Sequence, residues 1–168
     1  MDTDGDFSAY ASARWGTLVR SAIVLGCTLD DAQDLAQTTL VRCYTAWPKV
    51  QQAADRDAYV YRMLLNCHRD NRRRRWWGER PTATLPDRGA PDLTMQVDAT
   101  DAVHRALIDL SKVHREVVVL RYYANLTERQ TAQVLGIATG TVKSRLSRAL
   151  AQLGTNPHLL DLPEGQPS

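Results

Sequence analysis

The 168-residue sequence has few of the residues that build metal centres or disulfide frameworks. Its three cysteines, Cys27, Cys43 and Cys67, are odd in number and widely spaced, and none belongs to a Cys-x-x-Cys pair. The four histidines do not supply the closely spaced ligands that a zinc site needs. We therefore predict three buried thiols, no metal site and no cofactor.

Membrane spans, secretion signals and catalytic signatures are also missing. No apolar run approaches the ~18 residues of a membrane span, and residues 1–7 are acidic where a signal peptide would be basic. The sequence contains no phosphate-cradling glycine motif and no nucleophile paired with a base. We expect a cytoplasmic protein that has no catalytic residues, is not an enzyme and does not bind a membrane.

The charged residues of the sequence are strongly segregated by sign, although the net charge is only +2. Asp30, Asp31 and Asp34 form an acidic patch. A basic patch consists of Arg69, Arg72, Arg73, Arg74, Arg75 and Arg80. Because the sum is so small, the position of the charges is more informative than their total.

The chain divides at a polar stretch over residues 79–98, in which the apolar periodicity disappears and prolines recur. A structureless segment of this length is uncommon inside a compact domain. We therefore predict an all-α protein of two helical domains, joined by a flexible linker over residues 79–98. The first domain is expected over residues 1–78 and the second over residues 99–154, followed by a tail over residues 155–168 that either docks or is disordered.

Helical spacing predicts three helices in the first domain. The first is expected over residues 7–25. The second begins near Asp30, which forms a capping pair with Gln33, and Pro48 stops it. A loop over residues 48–55 then leads to the third helix, which runs into the basic patch.

The second domain contains the pattern of a helix-turn-helix. After a helix over residues 100–110, Thr127 and Gln130 have the spacing of a capping box, Gly136 supplies a turn, and a last helix follows over residues 139–153. The second helix of such a motif enters the major groove of DNA. Its predicted DNA-binding residues are Thr139, Thr141, Lys143, Ser144, Arg145 and Arg148. The alternative is a solvated amphipathic helix, and which residues read bases rather than phosphates is left open.

Two tryptophans, Trp76 and Trp77, directly follow Arg75 of the basic patch. Guanidinium groups follow a phosphate backbone and indole faces stack on unpaired bases, so the combination favours a single strand or a melting duplex. We predict DNA contacts by Arg73, Arg74 and Trp76. The alternative is that both tryptophans pack against the first domain while the arginines remain solvated.

With these residues in view, the chain resembles the extracytoplasmic-function group of the sigma-70 family of RNA polymerase sigma factors, over about residues 7–153. The matching residues of the first domain are 31–37 (DAQDLAQ), Tyr61, Arg62, Asn66 and Asp70. Those of the second domain are Leu126, Thr127, Ala132, Leu135, Gly136 and 140–149 (GTVKSRLSRA). The resemblance implies a factor that binds core RNA polymerase and directs it to promoters.

The resemblance also implies a partner for the acidic patch. Core RNA polymerase would be bound by Asp31, Asp34 and Gln37, although the aspartates also interact favourably with the N-terminus of their helix. Promoter DNA is the second implied partner, as duplex and as melted single strand, and an anti-sigma protein is left open.

A flipped base of the downstream promoter element would lie among the loop over residues 48–56, Asn66 and Asp70, whereas a local polar network is the alternative for Asp70.

The sequence departs from the family pattern at Ala138, where a serine cap is common, and Thr139 is expected to take over the cap.

Two other functions are compatible with the sequence. A two-domain helix-turn-helix regulator that is not a polymerase subunit would leave the acidic helix and the arginine and tryptophan cluster unexplained. A sigma-like decoy would sequester another regulator and would lack promoter-specific binding. For the sigma factor we expect the linker to keep the domains independent in solution, with a closed arrangement available when polymerase is absent.

Overall fold

The computed structural model describes the backbone of residues 2–78 and 95–162, and the side chains of residues 2–78 and 100–162. All regular structure in these ranges is helical, which confirms the all-α fold class. The helices of the first domain are α1 (Thr3–Val24), α2 (Leu29–Thr45), α3 (Trp47–Gln52) and α4 (Arg56–Trp76). Those of the second are α5 (Met95–Asp109), α6 (Lys112–Val118), which continues into a π-helical turn (Val119–Tyr123), α7 (Glu128–Leu135), α8 (Thr139–Gly154) and α9 (Pro157–Leu160). No helix in the described ranges is long and apolar enough to cross a membrane.

Three predicted boundaries in the first domain are wrong. The first is the start of α1, which begins at Thr3, after the cap Asp2, and not at residue 7. The cap of α2 is Thr28, whose hydroxyl accepts a hydrogen bond from the backbone N–H of Asp31 at 3.2 Å, and Asp30 lies inside the first turn. Pro48 does not stop α2 but lies in the first turn of α3, where the missing N–H of proline has no helical partner to lose. The predicted loop over residues 48–55 therefore contains a short helix.

The helix-turn-helix is formed by α7 and α8, and its predicted start is confirmed. Thr127 and Gln130 form the capping box of α7, and Gly136 ends that helix with a φ of 66°, in the left-handed region that glycine adopts without strain. The expected cap of α8 is wrong, because the capping position is Ala138, which offers no side-chain hydrogen bond, and Thr139 is the first helical residue.

One apolar cluster runs through both domains. Leu18 of α1, Leu35 of α2 and Leu64 of α4 are fully buried in the first domain. Leu120 of the π-helical turn and Leu126 belong to the same cluster. Since α7 packs against α4, and α1 contacts both α5 and the π-helical turn, the domains meet along a seam. In this structure the two domains are therefore in contact, which is the closed arrangement. The expectation that the linker keeps them independent in solution stays a prediction.

Each domain has a group of polar contacts that holds two of its segments together. Arg14 forms a two-pronged ion pair with Asp57, both N–O distances being 2.8 Å, and the hydroxyl of Tyr10 donates to the same carboxylate at 2.7 Å. At the other end α9 packs on α5, where the buried side chain of Asn156 donates to Asp109 at 3.0 Å. The described part of the tail is thus docked. Most of the predicted linker, over residues 79–94, lies outside the described residues, as do residues 1 and 163–168.

We expect the Leu64→Ala variant to lose ~2–5 kcal/mol of unfolding free energy, because it leaves a cavity in the shared core. Leu29→Ala is the matched control, since Leu29 is 57% exposed and its truncation should change stability by no more than ~0.5 kcal/mol. Urea unfolding followed by circular dichroism measures both. Equal losses in the two variants would contradict the position of the core.

Candidate polymerase and DNA interfaces

The acidic face of α2 carries the residues predicted to bind polymerase. Asp34 and Gln37 are exposed, because the buried side of the amphipathic helix faces α1 and α4. Asp31 is half-buried, and its carboxylate lies 2.7 Å from a guanidinium nitrogen of Arg75 at the far end of α4. The acidic face is therefore in direct contact with the basic patch, which the separation of these residues in the sequence did not indicate.

The end of α4 presents both tryptophans and four residues of the basic patch to solvent, namely Arg72, Arg73, Arg74 and Arg75. Trp76 is 87% and Trp77 80% exposed, so in this structure neither packs against the first domain. Arg73 and Arg74 are exposed as well. Together with Asp70 and Trp77 they line a cavity of about 350 Å³. The arrangement provides cations beside free indole faces, the combination that binds a single strand through its phosphates and bases.

The residues predicted around a flipped base are only partly brought together. Asn66 is exposed on α4, and Asp70, one turn further along, lies 3.7 Å from a guanidinium nitrogen of Arg42 on α2. This ion pair agrees with the alternative interpretation of Asp70, in which it belongs to a local polar network. The sequence did not identify Arg42 as the partner of Asp70, because hydrophobic periodicity does not reveal which residues of two separate helices face each other. Asp55, at the end of the predicted loop, caps α4.

The outer face of α8 is solvent-accessible in the closed arrangement. Val142 and Ala149 anchor its inner face against the rest of the second domain. Four of the predicted DNA-binding residues are exposed and two, Thr141 and Arg145, are half-buried. The exposed ones are Thr139, Lys143, Ser144 and Arg148. The ammonium group of Lys143 lies 3.7 Å from Glu128, which holds this cation close to α7.

A cavity of about 780 Å³ lies where the α1–α2 turn, α2, α4 and α6 meet. His68 lines it and is 6% exposed, and burial lowers the pKa of His68 to about 4. Nearby positive charge lowers this pKa further, from Arg72, Lys112, Arg115 and Arg75. The imidazole is therefore neutral at pH 7.

The three cysteines are free thiols. Cys43 and Cys67 are buried as predicted, whereas Cys27 is only half-buried and its sulfur lies 3.7 Å from the Nδ1 atom of His68. Burial, and secondarily the charge of Asp31, raises the pKa of Cys27 to about 11. The thiol is therefore protonated at neutral pH, which makes it a poor nucleophile and a poor metal ligand.

Both domains match known protein families. Residues 7–78 match the family described as Sigma-70 region 2, and residues 100–153 match the one described as Sigma-70, region 4. An "RNA polymerase sigma-E factor" of Streptomyces avermitilis is 41% identical over 153 residues, which cover 88% of this chain and 83% of that protein. The chain belongs to the extracytoplasmic-function group of the sigma-70 family. It is a sigma factor, and the alternative of a helix-turn-helix regulator outside polymerase is not supported.

Other relatives agree with this assignment. The "RNA polymerase sigma-E factor" of Streptomyces coelicolor is 39% identical, over 88% of this sigma factor and 84% of that protein. The "ECF RNA polymerase sigma factor SigM" of Mycobacterium tuberculosis is 34% identical, over 81% and 69%.

Two solved structures are similar in fold. The sigma factor RpoE in complex with the anti-sigma factor NepR from Bartonella quintana has a TM-score of 0.69 and 25% identity, over 88% of this chain and 94% of that one. CnrH in complex with the cytosolic domain of CnrY has a TM-score of 0.64 and 24% identity, over 88% and 84%.

The depressed pKa of His68 predicts a loss of stability in mild acid. The pKa is 6.5 for an ordinary histidine and about 4 in the fold, so the unfolded chain binds the proton more readily between these values. The stabilising contribution of the neutral His68 side chain is complete above pH ~6.5 and is lost as the pH falls toward ~4. Over this window the free energy of unfolding should fall by at most ~1.4 kcal/mol per pH unit on account of this residue. Urea unfolding of the wild type and of His68→Gln across this window measures it. The variant should have the shallower slope, and parallel slopes would contradict the burial of a neutral imidazole.

Proposed function

We propose that this sigma factor binds core RNA polymerase with the outer face of α2, reads the upstream promoter element with α8, and captures the melted downstream strand with the end of α4. The observation that carries the proposal is the exposure of residues that match the family motifs on three helices, namely Asp34 and Gln37 on α2, Asn66 on α4 and Arg148 on α8. Asp34 and Gln37 offer a carboxylate and an amide on the first of them. The partners would be core polymerase, duplex promoter DNA and melted single-stranded DNA.

The roles of the two DNA surfaces differ in chemistry. On α8, Arg148 is exposed and suits bidentate contacts to guanine or phosphate, while Lys143 acts as a point charge. On α4, Arg73 and Arg74 would follow the strand's phosphates, and Trp76 would stack on an unpaired base. The energy of unpairing a base, a few kcal/mol, would be offset by such stacking and by hydrogen bonds to the base edge.

Asn66 and Asp70 would take part in base capture once Asp70 leaves Arg42. Asp31 would contribute to polymerase binding once it leaves Arg75. Each of these ion pairs joins side chains that are about a quarter to a half exposed, and pairs of this kind contribute ~1 kcal/mol or less, so either can be exchanged for an intermolecular contact.

The remaining roles follow from membership of the family. The chain would act in the cytoplasm, where polymerase and promoters are found, and the chemical step would be performed by polymerase and not by this chain. Two solved relatives are complexes with a second protein, an anti-sigma factor in the case of RpoE. An anti-sigma protein is therefore a further proposed partner.

The polymerase surface is tested by replacing Asp34 and Gln37 together with lysine. The double variant should bind core polymerase at least ~10-fold more weakly, because ammonium groups replace the carboxylate of Asp34 and the amide of Gln37 and the complementary contacts of both are lost. Asp101→Lys with Gln52→Lys is the matched control, since both residues are exposed and lie on other helices. Affinity for purified core polymerase, measured by fluorescence anisotropy, decides the matter. Equal affinities for the two double variants would reject α2 as the polymerase surface.

The DNA-reading role of α8 is tested by alanine at Arg145 and Arg148. A lost base contact should reduce discrimination between promoter sequences by ~1–3 kcal/mol, whereas a lost phosphate contact weakens binding to all sequences and lowers the salt dependence. Alanine at Arg20 and Arg105, two exposed arginines elsewhere, is the control. Holoenzyme binding to a promoter library at several salt concentrations measures both effects. If the α8 variant matched the control in both, α8 would not be the reader.

A further inference from the structure

The cavity of about 780 Å³ beside His68 has the volume of a small-molecule site, for which ~300–1,000 Å³ is usual. Its walls are the turn between α1 and α2, the acidic start of α2, the last turns of α4 and one residue of α6, Arg115. Both domains therefore contribute side chains to one concave surface. A flat macromolecular interface does not need such a depth.

The cavity has an excess of positive charge. Its charged side chains are four arginines and two aspartates, namely Arg72, Arg74, Arg75, Arg115, Asp31 and Asp34. Among the described residues, the ion pair within this set joins Arg75 to Asp31 at 2.7 Å. The three other arginines therefore face a single remaining carboxylate. A concave surface with such an excess attracts anions.

The guanidinium group of Arg115 is poorly satisfied. It has five N–H donors to place, yet Nη1 reaches the backbone carbonyl of Leu25 only at 3.5 Å, and the buried Nε has no partner among the described residues. The neighbouring carboxylate of Glu116 is engaged, because its Oε2 atom accepts a hydrogen bond from Arg69 at 3.2 Å. Burial, and secondarily the charge of Arg72, lowers the pKa of Arg115. A cation that has lost water without gaining a counter-charge is stabilised by a bound anion.

His68 lies where the positive charges converge. Its side chain is 6% exposed and lines the cavity. After burial, the causes that lower the pKa of His68 are four cations of α4 and α6, namely Arg72, Lys112, Arg115 and Arg75. The Nδ1 atom of His68 lies 3.7 Å from the sulfur of Cys27, and this protonated thiol adds no negative charge. The fields of the two domains therefore add at this wall of the cavity.

The chemistry of the walls suits a phosphate group. Guanidinium forks match phosphate oxygens in geometry, and one phosphate can neutralise two cations. Arg72 and Arg115 come from different helices, so both can contact the same phosphate. Trp76 also lines the cavity and is 87% exposed, which leaves an indole face for a planar base. The cavity thus has room for a nucleotide as well as for an inorganic phosphate.

We propose that this cavity binds a small molecule that carries a phosphate group, and that Arg72 and Arg115 hold the phosphate between the two domains. Inorganic pyrophosphate and nucleotides share this chemistry, and a nucleotide would in addition stack its base on Trp76. Neither Arg72 nor Arg115 has a role in the proposed binding of polymerase or DNA. The site is therefore separable from the proposed function.

Calorimetric titration of the full chain with pyrophosphate and with magnesium-free ATP measures binding. An ionic strength of ~0.15 M screens exposed charges that lie more than ~8 Å apart, so weak non-specific attraction is reduced. Arg72→Gln with Arg115→Gln should bind both probes at least ~10-fold more weakly, because two charge-assisted contacts are lost. Arg20→Gln with Arg105→Gln is the matched control, since it removes the same charge from exposed arginines elsewhere and should stay within ~2-fold of the wild type.

A single substitution guards against a variant that does not fold. Arg72 is exposed, so Arg72→Gln alone should keep the helical circular dichroism of the wild type and still weaken both probes, though less than the double variant. Wild-type affinity in Arg72→Gln would contradict its role in the site.

The location of the ligand is measured by NMR of the histidine side chains. Pyrophosphate should shift the His68 resonances and raise the pKa of His68 from about 4, because an anion offsets the cations that lower it. His104 on α5 and His158 on α9 do not line the cavity, and their resonances should stay in place. The His68→Gln variant assigns the signal.

The outcomes separate the site from the proposed function. No saturable binding of either probe, equal losses in the two double variants, or unmoved His68 resonances would each overturn the site. Tighter binding of ATP than of pyrophosphate would identify a nucleotide as the ligand, and equal binding would identify the phosphate group alone.

A single-stranded promoter oligonucleotide is the third probe. If Arg72→Gln with Arg115→Gln lost affinity for this strand but not for pyrophosphate or ATP, the cavity would belong to the DNA surface and the small-molecule site would be overturned. Run-off transcription by the wild type with core polymerase tests the proposed function separately. Its failure would overturn that function and leave the binding of pyrophosphate and ATP as measured.

Discussion

The burial of one face of α4 is the constraint on which the other features depend. Val60, Leu64 and Cys67 bury this face against the first domain, and the start of the same helix meets α7. After His68 the helix carries only polar and charged residues until Trp76, so no apolar side chain draws its last two turns into the core. The basic end projects into solvent for that reason. The contact with α7, the buried core face and the surface proposed for the melted strand are successive parts of a single helix.

The position of α4 also decides the electrostatics of the first domain. Because α2 and α4 pack side by side, the acidic start of α2 lies beside the basic end of α4, and Asp31 meets Arg75. Arg42 and Asp70 form a second pair between the same helices, with the signs reversed. The two surfaces proposed for polymerase and for the melted strand are thus linked by exchangeable ion pairs rather than insulated from each other.

Local rules explain what could be predicted from the sequence. The capping box at Thr127 and Gln130 and the left-handed turn at Gly136 are determined by residues within one helical turn, so the helix-turn-helix could be recognised without the fold. The cap of α2 was misplaced because threonine and aspartate are both good caps and Thr28 lies only two residues from Asp30.

Contacts between distant residues account for what could not be predicted. Arg69 and Glu116 are 47 residues apart, and nothing in the spacing of either helix indicates that they meet. From its residue type, Glu116 would be predicted to be exposed to solvent, since buried carboxylates are rare unless they are paired. Hydrophobic periodicity identifies which face of a helix is buried but not which helix covers it, so neither the seam nor the ion pairs between α2 and α4 could be derived.

The ion pair between Asp31 and Arg75 has an evolutionary consequence. With the roles proposed for these surfaces, a substitution at either residue would change two functions at once, because it would leave an unmatched charge on a surface proposed to bind another macromolecule. Selection would therefore act on the two positions as a unit, and a lineage that altered its contact with polymerase at position 31 would be expected to adjust position 75 as well. Divergence in promoter preference and in competition for polymerase would then be inherited together rather than separately.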